Sequence, residues 1–256
     1  MTTHKFAETL LNKVPEVTFV FWLIKILSTT VGETGADYLA VHVGLGVAWT
    51  DSIMASLLIG ALVGQLSLRR YVPWLYWLTV VLLSVVGTQI TDALTDGLGV
   101  SLYVSTAAFS VLLAAVFASW YARERTLSIH TIVTRRRELF YWAAILFTFA
   151  LGTAAGDLAT EALQLGFTVG VFVFGGLIAA IAVAYRFGAN PVLTFWLAYI
   201  LTRPLGASLG DLLSQAPEYG GVGLGTVKTS VLFLSVILAL VAYISRVRTD
   251  TPARVA

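Results

Sequence analysis

The chain alternates between long apolar segments and short polar connections. Eight segments of helical length are apolar almost throughout: 17–39, 45–67, 74–96, 100–121, 139–163, 167–185, 192–214 and 226–245. A helix needs ~20 residues to cross a hydrocarbon core about 30 Å thick. The strands of a membrane barrel would instead alternate between apolar and polar positions. The pattern therefore predicts an all-α integral membrane protein with eight transmembrane helices.

The composition supports this prediction and narrows the chemistry. Apolar residues make up 58% of the 256 residues and charged residues only 12%, whereas a soluble domain carries roughly 25% charged residues. The chain has no Cys, which excludes disulfides, thiolate metal sites and Cys nucleophiles. No HExxH motif occurs, and the chain is predicted not to be an enzyme.

The basic residues are distributed asymmetrically along the chain. Thirteen of the sixteen fall on one side of an eight-helix topology: Lys5, Lys13, Arg69, Arg70, Arg123, Arg125, Arg135, Arg136, Arg137, Arg186, Arg246, Arg248 and Arg254. The connections on the other side contain no Lys or Arg. The positive-inside rule predicts that both termini are cytoplasmic. The same rule accounts for the basic connection 122–137, so no nucleic-acid partner is predicted.

The four odd-numbered segments align with one another without a gap. Each has an aromatic residue followed by Trp, then Gly ten residues after the Trp, then Asp five residues after the Gly. The tryptophans are Trp22, Trp77, Trp142 and Trp196; the glycines are Gly32, Gly87, Gly152 and Gly206; and the aspartates are Asp37, Asp92, Asp157 and Asp211. The chain 1–256 is therefore predicted to be a single transmembrane domain of four two-helix repeats, 15–72, 73–136, 137–190 and 191–248.

Each predicted repeat begins on the cytoplasmic side, so the four repeats should share one orientation. The expected architecture is four hairpins around a pseudo-symmetry axis, with the odd-numbered helices innermost. The repeated tryptophans are interpreted as an interfacial aromatic belt or as helix packing, in preference to a ligand cage. The repeated glycines are interpreted as points where helices approach closely.

This pattern resembles a known family of bacterial membrane proteins with four tandem two-helix repeats and a characteristic Trp, the domain-of-unknown-function 347 repeat family. The resemblance covers about residues 15–246. It implies the repeat fold and a location in the bacterial inner membrane, and it implies no activity. Functional expectations therefore depend on the residues themselves.

Acidic residues recur towards the outer end of the odd-numbered helices. Each repeated Asp lies fifteen residues after its Trp, about 22 Å along a helix. Three repeats hold a second acid four residues away, in the pairs Glu33–Asp37, Asp92–Asp96 and Asp157–Glu161. Residues four apart share a helix face, where like charges repel. A proton or a cation could neutralise such pairs, which points to an ion or substrate path. Alternatively, the aspartates cap helices or bond to neighbouring backbones.

Repeats 1 and 4 depart furthest from the average repeat. Repeat 1 contributes Lys25, Thr29, Thr30 and Glu33, and repeat 4 contributes Arg203. If the hairpins close into a ring, these two repeats become neighbours, and Glu33 is expected to pair with Arg203 across the seam. Lys228, near the outer face, is a further candidate partner for Asp211 or a neighbouring acid.

The leading hypothesis is a small transporter for a cation, or for a solute coupled to a cation. Protons, Na⁺ and hard divalent ions such as Mg²⁺ or Mn²⁺ suit oxygen ligands. The one candidate cofactor is a bound cation, and its candidate ligands are Glu33, Asp37, Asp92, Asp157 and Asp211. The alternative is a non-transporting scaffold or partner-binding subunit whose aspartates are structural. The expected partners are the lipid bilayer and a small ion or solute, and assembly into a homo-oligomer stays open.

Overall fold

The computed structural model describes residues 12–42 and 47–250. Within these ranges it leaves out the side chains of residues 36, 37, 39–42 and 248–250. The described ranges contain eight long α-helices and no strand: α1 (Phe19–His42), α2 (Val47–Ser67), α3 (Pro73–Asp92), α4 (Leu102–Glu124), α5 (Arg135–Asp157), α6 (Gly166–Arg186), α7 (Pro191–Ser214) and α8 (Thr226–Asp250).

Four short helices extend or connect these elements. A π-helix at Ala93–Gly97 continues α3, and another at Leu158–Ala162 continues α5. Short 3₁₀ helices lie at Ile129–Thr131 and Pro217–Tyr219. Helix α5 begins four residues earlier than the predicted segment 139–163, because the Thr134 hydroxyl caps it by accepting a hydrogen bond from the Arg137 amide. The polar first turn of α5 had concealed this start.

Seven of the eight helices are long and apolar enough to cross a membrane. The exception, α1, is 24 residues long but carries Lys25, Glu33 and Asp37. Large apolar side chains are exposed on the even-numbered helices, including Val111, Phe172 and Leu238. Together, these features indicate a membrane protein, since such surfaces suit lipid and not water.

The odd-numbered helices form a closed inner ring. Helix α1 packs against α3, α3 against α5, α5 against α7, and α7 against α1. In α3, α5 and α7, 61% of the most apolar stretch is buried, against 11% to 17% in α2, α4, α6 and α8. The expectation that the odd-numbered helices are innermost is therefore confirmed.

Each even-numbered helix packs mainly against the next repeat and not against its own. Helix α2 lies on α3, α4 on α5, α6 on α7, and α8 on α1. The two helices of one repeat touch much less, as α1 and α2 show. The repeats therefore interlock, which a row of independent hairpins would not do. The packing of α8 on α1 joins the two ends of the chain.

Candidate functional site at the centre of the helix ring

The repeated glycines lie at the four contacts of the inner ring. A Cβ atom added to Gly32 would meet Ser84 of α3, one added to Gly87 would meet Phe149 of α5, one added to Gly152 would meet Arg203 of α7, and one added to Gly206 would meet Thr29 of α1. In every case the partner lies three residues before the glycine of the next repeat. Equivalent positions therefore touch at all four interfaces, and the helices approach closely because the glycines lack side chains.

Arg203 is the one charged residue among these four partners, and it crosses the centre of the ring. Its Nη2 donates to Glu33 Oε2 at 2.6 Å and to the hydroxyl of Thr88, and its Nη1 donates to the Thr29 carbonyl at 3.2 Å. Thr88 lies on α3, diagonally opposite α7 in the ring. The Arg203 side chain is fully buried and that of Glu33 is 9% exposed. The pair expected across the seam between repeats 1 and 4 is thus present.

Lys25 lies one helical turn from this level, four residues before Thr29 on α1. Lys25 as a whole is 1% exposed. Its Nζ is 3.8 Å from the centre of the Phe149 ring and 4.2 Å from the centre of the Tyr199 ring. These rings stabilise a cation through their π faces. Among the described residues, the Lys25 ammonium has no hydrogen-bond partner, and the charged group that acts on it is another cation, Arg203.

Tyrosine hydroxyls continue the polar centre beyond Lys25. Tyr76 and Tyr141, each next to a repeated Trp, are fully buried, and their hydroxyls lie 2.5 Å apart. Tyr199 is equally buried and interacts electrostatically with Tyr76. Buried hydroxyls are costly unless they are hydrogen-bonded. The three tyrosines lie in the half of the ring that holds the tryptophans, so this half also contains titratable groups.

The acids gather at the opposite end of the ring. Asp157 interacts electrostatically with Glu33, Glu161, Asp211 and Asp92, which come from all four inner helices or their π-helical extensions. Asp211 is buried, Asp157 is half-buried, and Glu161 is exposed. The cluster thus extends from the buried Glu33–Arg203 pair to the surface. The side chain of Asp37 lies outside the described residues.

The second acids of repeats 2 and 3 lie just beyond the α-helices that carry the repeated aspartates. Asp96 and Glu161 lie in the two π-helices that begin immediately after Asp92 and Asp157. A π-helix closes its hydrogen bonds between residues five apart, so positions four apart still lie close together, and Asp157 interacts with Glu161. Glu161 also interacts with Asp96 of the neighbouring repeat and with Glu33. The like charges therefore converge between repeats as well as within them.

Two further candidate residues, Lys228 and Thr30, form no side-chain hydrogen bond or ion pair across the ring among the described residues. Lys228 is exposed and forms no ion pair with a described residue, so its expected pairing with Asp211 is not seen. Thr30 is buried, but its hydroxyl donates to the Ile26 carbonyl of its own helix at 3.2 Å. Thr29, in contrast, bridges two helices by donating to the Thr202 carbonyl of α7 at 3.1 Å.

The repeated tryptophans pack among other rings. Trp77, Trp142 and Trp196 are buried, and Trp22 is partly buried. Trp77 and Trp142 both contact Tyr76, at ring-centre distances of 5.1 and 5.4 Å. This geometry is helix packing, and it does not form an open cage.

The acids do not form a ready metal site among the described residues. No group of three or more His, Asp or Glu side chains there could hold a metal ion. The role of Glu33, Asp37, Asp92, Asp157 and Asp211 as cation ligands stays a prediction.

Sequence reasoning missed several residues of this centre: Thr88, Phe149, Tyr76, Tyr141 and Tyr199. Thr88 occupies in repeat 2 the position that Glu33 occupies in repeat 1, so the alignment of repeats contained a signal for it. Tyr76 and Tyr141 were hidden in the aromatic–Trp pattern, which is typical of packing. Nothing in the sequence indicated that Lys25 would reach Phe149, because that contact crosses the ring.

The chain matches the model of a protein family described as Repeat of Unknown Function (DUF347). The match occurs four times in succession, at residues 20–71, 75–126, 140–188 and 194–250. The chain belongs to this family. The family's repeat therefore corresponds to one inner helix with the outer helix that follows it. No curated protein and no solved structure gives a significant match.

Proposed function

We propose that the protein is a membrane transporter for a proton, another small cation, or a small solute coupled to one. The observation that carries the proposal is a column of buried and half-buried ionisable groups along the centre of the inner ring. We call it the axial column. Its members are Tyr76, Tyr141, Tyr199, Lys25, Arg203, Glu33, Asp157, Asp92 and Asp211. Ionisable groups inside a membrane domain are costly and by default mark an ion or substrate path.

The Glu33–Arg203 pair is the proposed control point of this path. It lies between the acids on one side and Lys25 with the tyrosines on the other. A proton or cation that arrives through the acids would neutralise Glu33 and release Arg203. The released guanidinium then needs a new partner, because an unpaired buried charge is strongly unfavourable. Such a change of partner would couple ion binding to a rearrangement of the ring.

We infer that the chain crosses the bacterial inner membrane eight times, with four repeats in one orientation and both termini in the cytoplasm. The meeting of equivalent positions at all four glycine contacts supports the shared orientation. The basic residues on one side support the placement of the termini. Because the chain has no Cys, single cysteines at Arg125 and Glu218 can test this. In intact cells, an impermeant maleimide should label only the Glu218 position, and the reverse pattern would refute the orientation.

Flux measurements in proteoliposomes test the transport proposal directly. The purified protein should dissipate an imposed pH or Na⁺ gradient faster than empty liposomes do. Glu33→Gln should abolish this flux, because the neutral amide can neither bind a proton nor hold Arg203 as a carboxylate does. Glu218→Gln is the matched control, since the same chemical change falls on an exposed loop residue.

The outcomes separate transport from the structural alternative. Flux that survives Glu33→Gln at the wild-type rate would remove Glu33 from the mechanism. Absence of flux for every cation tested, from a folded protein, would favour a scaffold or partner-binding subunit. The observation in favour of that alternative is that the buried Arg203 ties three inner helices together through Glu33, Thr88 and the Thr29 carbonyl.

A further inference from the structure

Two basic side chains lie close together in the ring, and one acid is paired with them. Lys25 and Arg203 are both buried to 1% exposure or less, and Glu33 is the one acid that contacts either of them through a described ion pair. Arg203 Nη1 and Nη2 donate to Glu33, Thr88 and the Thr29 carbonyl. Lys25 has only ring faces beside it. If both bases are charged, this part of the membrane interior lacks one negative charge.

The same region contains several buried donors without partners. Among the described residues, Lys25 Nζ, Arg203 Nε and the hydroxyls of Ser28, Ser84 and Tyr199 make no hydrogen bond. Ser28 lies one turn after Lys25, and Tyr199 presents its ring to Lys25. Ser84 lies in repeat 2 at the position that Arg203 occupies in repeat 4. Buried polar atoms in native proteins normally have partners, so five such atoms within about one helical turn along the ring axis point to a ligand that accepts hydrogen bonds.

The repeat alignment shows that Lys25 is not needed to build the ring. The equivalent residues in the other repeats are Val80, Ile145 and Tyr199, and these helices pack in the same way without a cation. An apolar side chain would therefore serve at position 25 if packing were its only role. A lysine in this position costs desolvation energy, and a bound anion would offset that cost.

We infer that the protein binds one small monovalent anion at the Lys25 ammonium, on the side that the Phe149 and Tyr199 ring faces do not cover. The ammonium supplies the charge, and the Arg203 Nε–H and the three hydroxyls donate hydrogen bonds. One ammonium and a few hydrogen-bond donors suit a small carboxylate, or a halide, better than a large or multiply charged anion. This inference rests on the proposed transport function in naming the solute class: a small anion that crosses together with the proton or cation bound by the acids.

Binding to the purified full-length protein tests the inference without any gradient. Calorimetric titration with sodium acetate and sodium chloride should give saturable binding, whereas sodium gluconate, which is too large, should give none. Lys25→Met keeps the length of the side chain and removes the charge, so it should weaken binding about tenfold or more, as expected for the loss of a charged hydrogen bond. Lys228→Met, at an exposed lysine of α8, should bind as the wild type does.

Two more variants distinguish a bound anion from a general effect of salt. Glu33→Gln should bind the anion at least as tightly as the wild type, because its carboxylate no longer competes for Arg203. Lys25→Arg should retain binding, which separates loss of charge from loss of folding. Wild-type protein that binds neither acetate nor chloride, or binds gluconate equally, would overturn the inference. Cation flux sensitive to Glu33→Gln would then still stand, whereas anion binding without any flux would overturn the transport proposal alone.

Discussion

The environment of each charged pair decides how much that pair contributes to the stability of the folded protein. Glu33 and Arg203 are 2.6 Å apart with side-chain exposures of 9% and 0%. Arg136 and Glu124 are 2.5 Å apart, but the Arg136 side chain is 61% exposed and Arg137 binds the same carboxylate at 2.7 Å. Water and Arg137 therefore compensate for the loss of Arg136, whereas removal of one partner from the first pair leaves a buried charge alone. Similar geometry therefore implies very different energies.

We expect Arg203→Gln to lower the free energy of unfolding by about 3–5 kcal/mol, because Glu33 is left as an unpaired buried carboxylate. The double variant Glu33→Gln/Arg203→Gln should recover part of that loss, since neither charge remains. Arg136→Gln should change stability by about 1 kcal/mol or less. Denaturant unfolding in detergent micelles measures all three. Equal losses for Arg203→Gln and Arg136→Gln would show that the central pair is effectively solvated.

At the scale of the helices, the spacing of Trp, Gly and Asp was enough to predict much of the architecture. Ten residues from Trp to Gly, repeated four times, placed the close contacts correctly, because a helix converts a fixed spacing into a fixed height. The two π-helices were not predictable, since an extra residue in one turn leaves no mark in an apolar pattern. The packing of each outer helix on the next repeat was also hidden, because lipid-facing and protein-facing apolar residues look alike.

The contacts at the centre of the site were predictable only in part, because the sequence assigns each residue to a helix face but does not say which residue it touches. Glu33 and Arg203 could be paired from their positions, since the closed ring makes repeats 1 and 4 neighbours. The contacts of Arg203 with Thr88, and of Lys25 with Phe149, depend on how long side chains extend across the ring. Helical periodicity assigns a residue to a face, but it does not determine the direction of a flexible chain of four or five bonds.

The glycine contacts lead to a prediction about the inner helices. We expect Gly206→Ala to destabilise the protein by about 1–3 kcal/mol, the usual cost of overpacking. The added Cβ would lie 1.9 Å from the Thr29 hydroxyl oxygen and 3.0 Å from the Thr30 amide nitrogen, so α7 must move away from α1. Gly176→Ala in α6 is the control, because nothing lies within 4 Å of its added Cβ.

Thermal unfolding of the two glycine variants in the same detergent compares them directly. The control should unfold at or slightly above the wild-type temperature, because alanine favours a helix over glycine. Gly206→Ala should unfold at a lower temperature and should weaken the Glu33–Arg203 contact, which spans the same two helices. A Gly206→Ala variant as stable as the control would mean that α1 and α7 do not pack as closely as described.

At the scale of the whole molecule, the last helix completes the ring. Because every outer helix lies on the next repeat, α8 has no further repeat to cover and packs on α1 instead. The Thr34 and Ser230 hydroxyl oxygens are 2.7 Å apart across this contact. The arrangement makes the fold continuous around the axis although the chain is open. It also offers a route to a swapped dimer, in which α8 of one copy covers α1 of another.

Cysteine cross-linking in the naturally cysteine-free chain distinguishes closure within one molecule from such a swap. Thr34→Cys with Ser230→Cys should form a disulfide on mild oxidation, because the two hydroxyl positions already lie close to the separation that bonded sulfurs require. The product should migrate as a monomer on denaturing gels and should resist maleimide labelling until it is reduced. The control pair, Ser52→Cys with Ser230→Cys, joins α2 to α8 and should stay reduced, since these helices are not packed neighbours. Cross-linked dimers would instead mean that α8 closes the ring of a second copy, and the axial column would then belong to two chains.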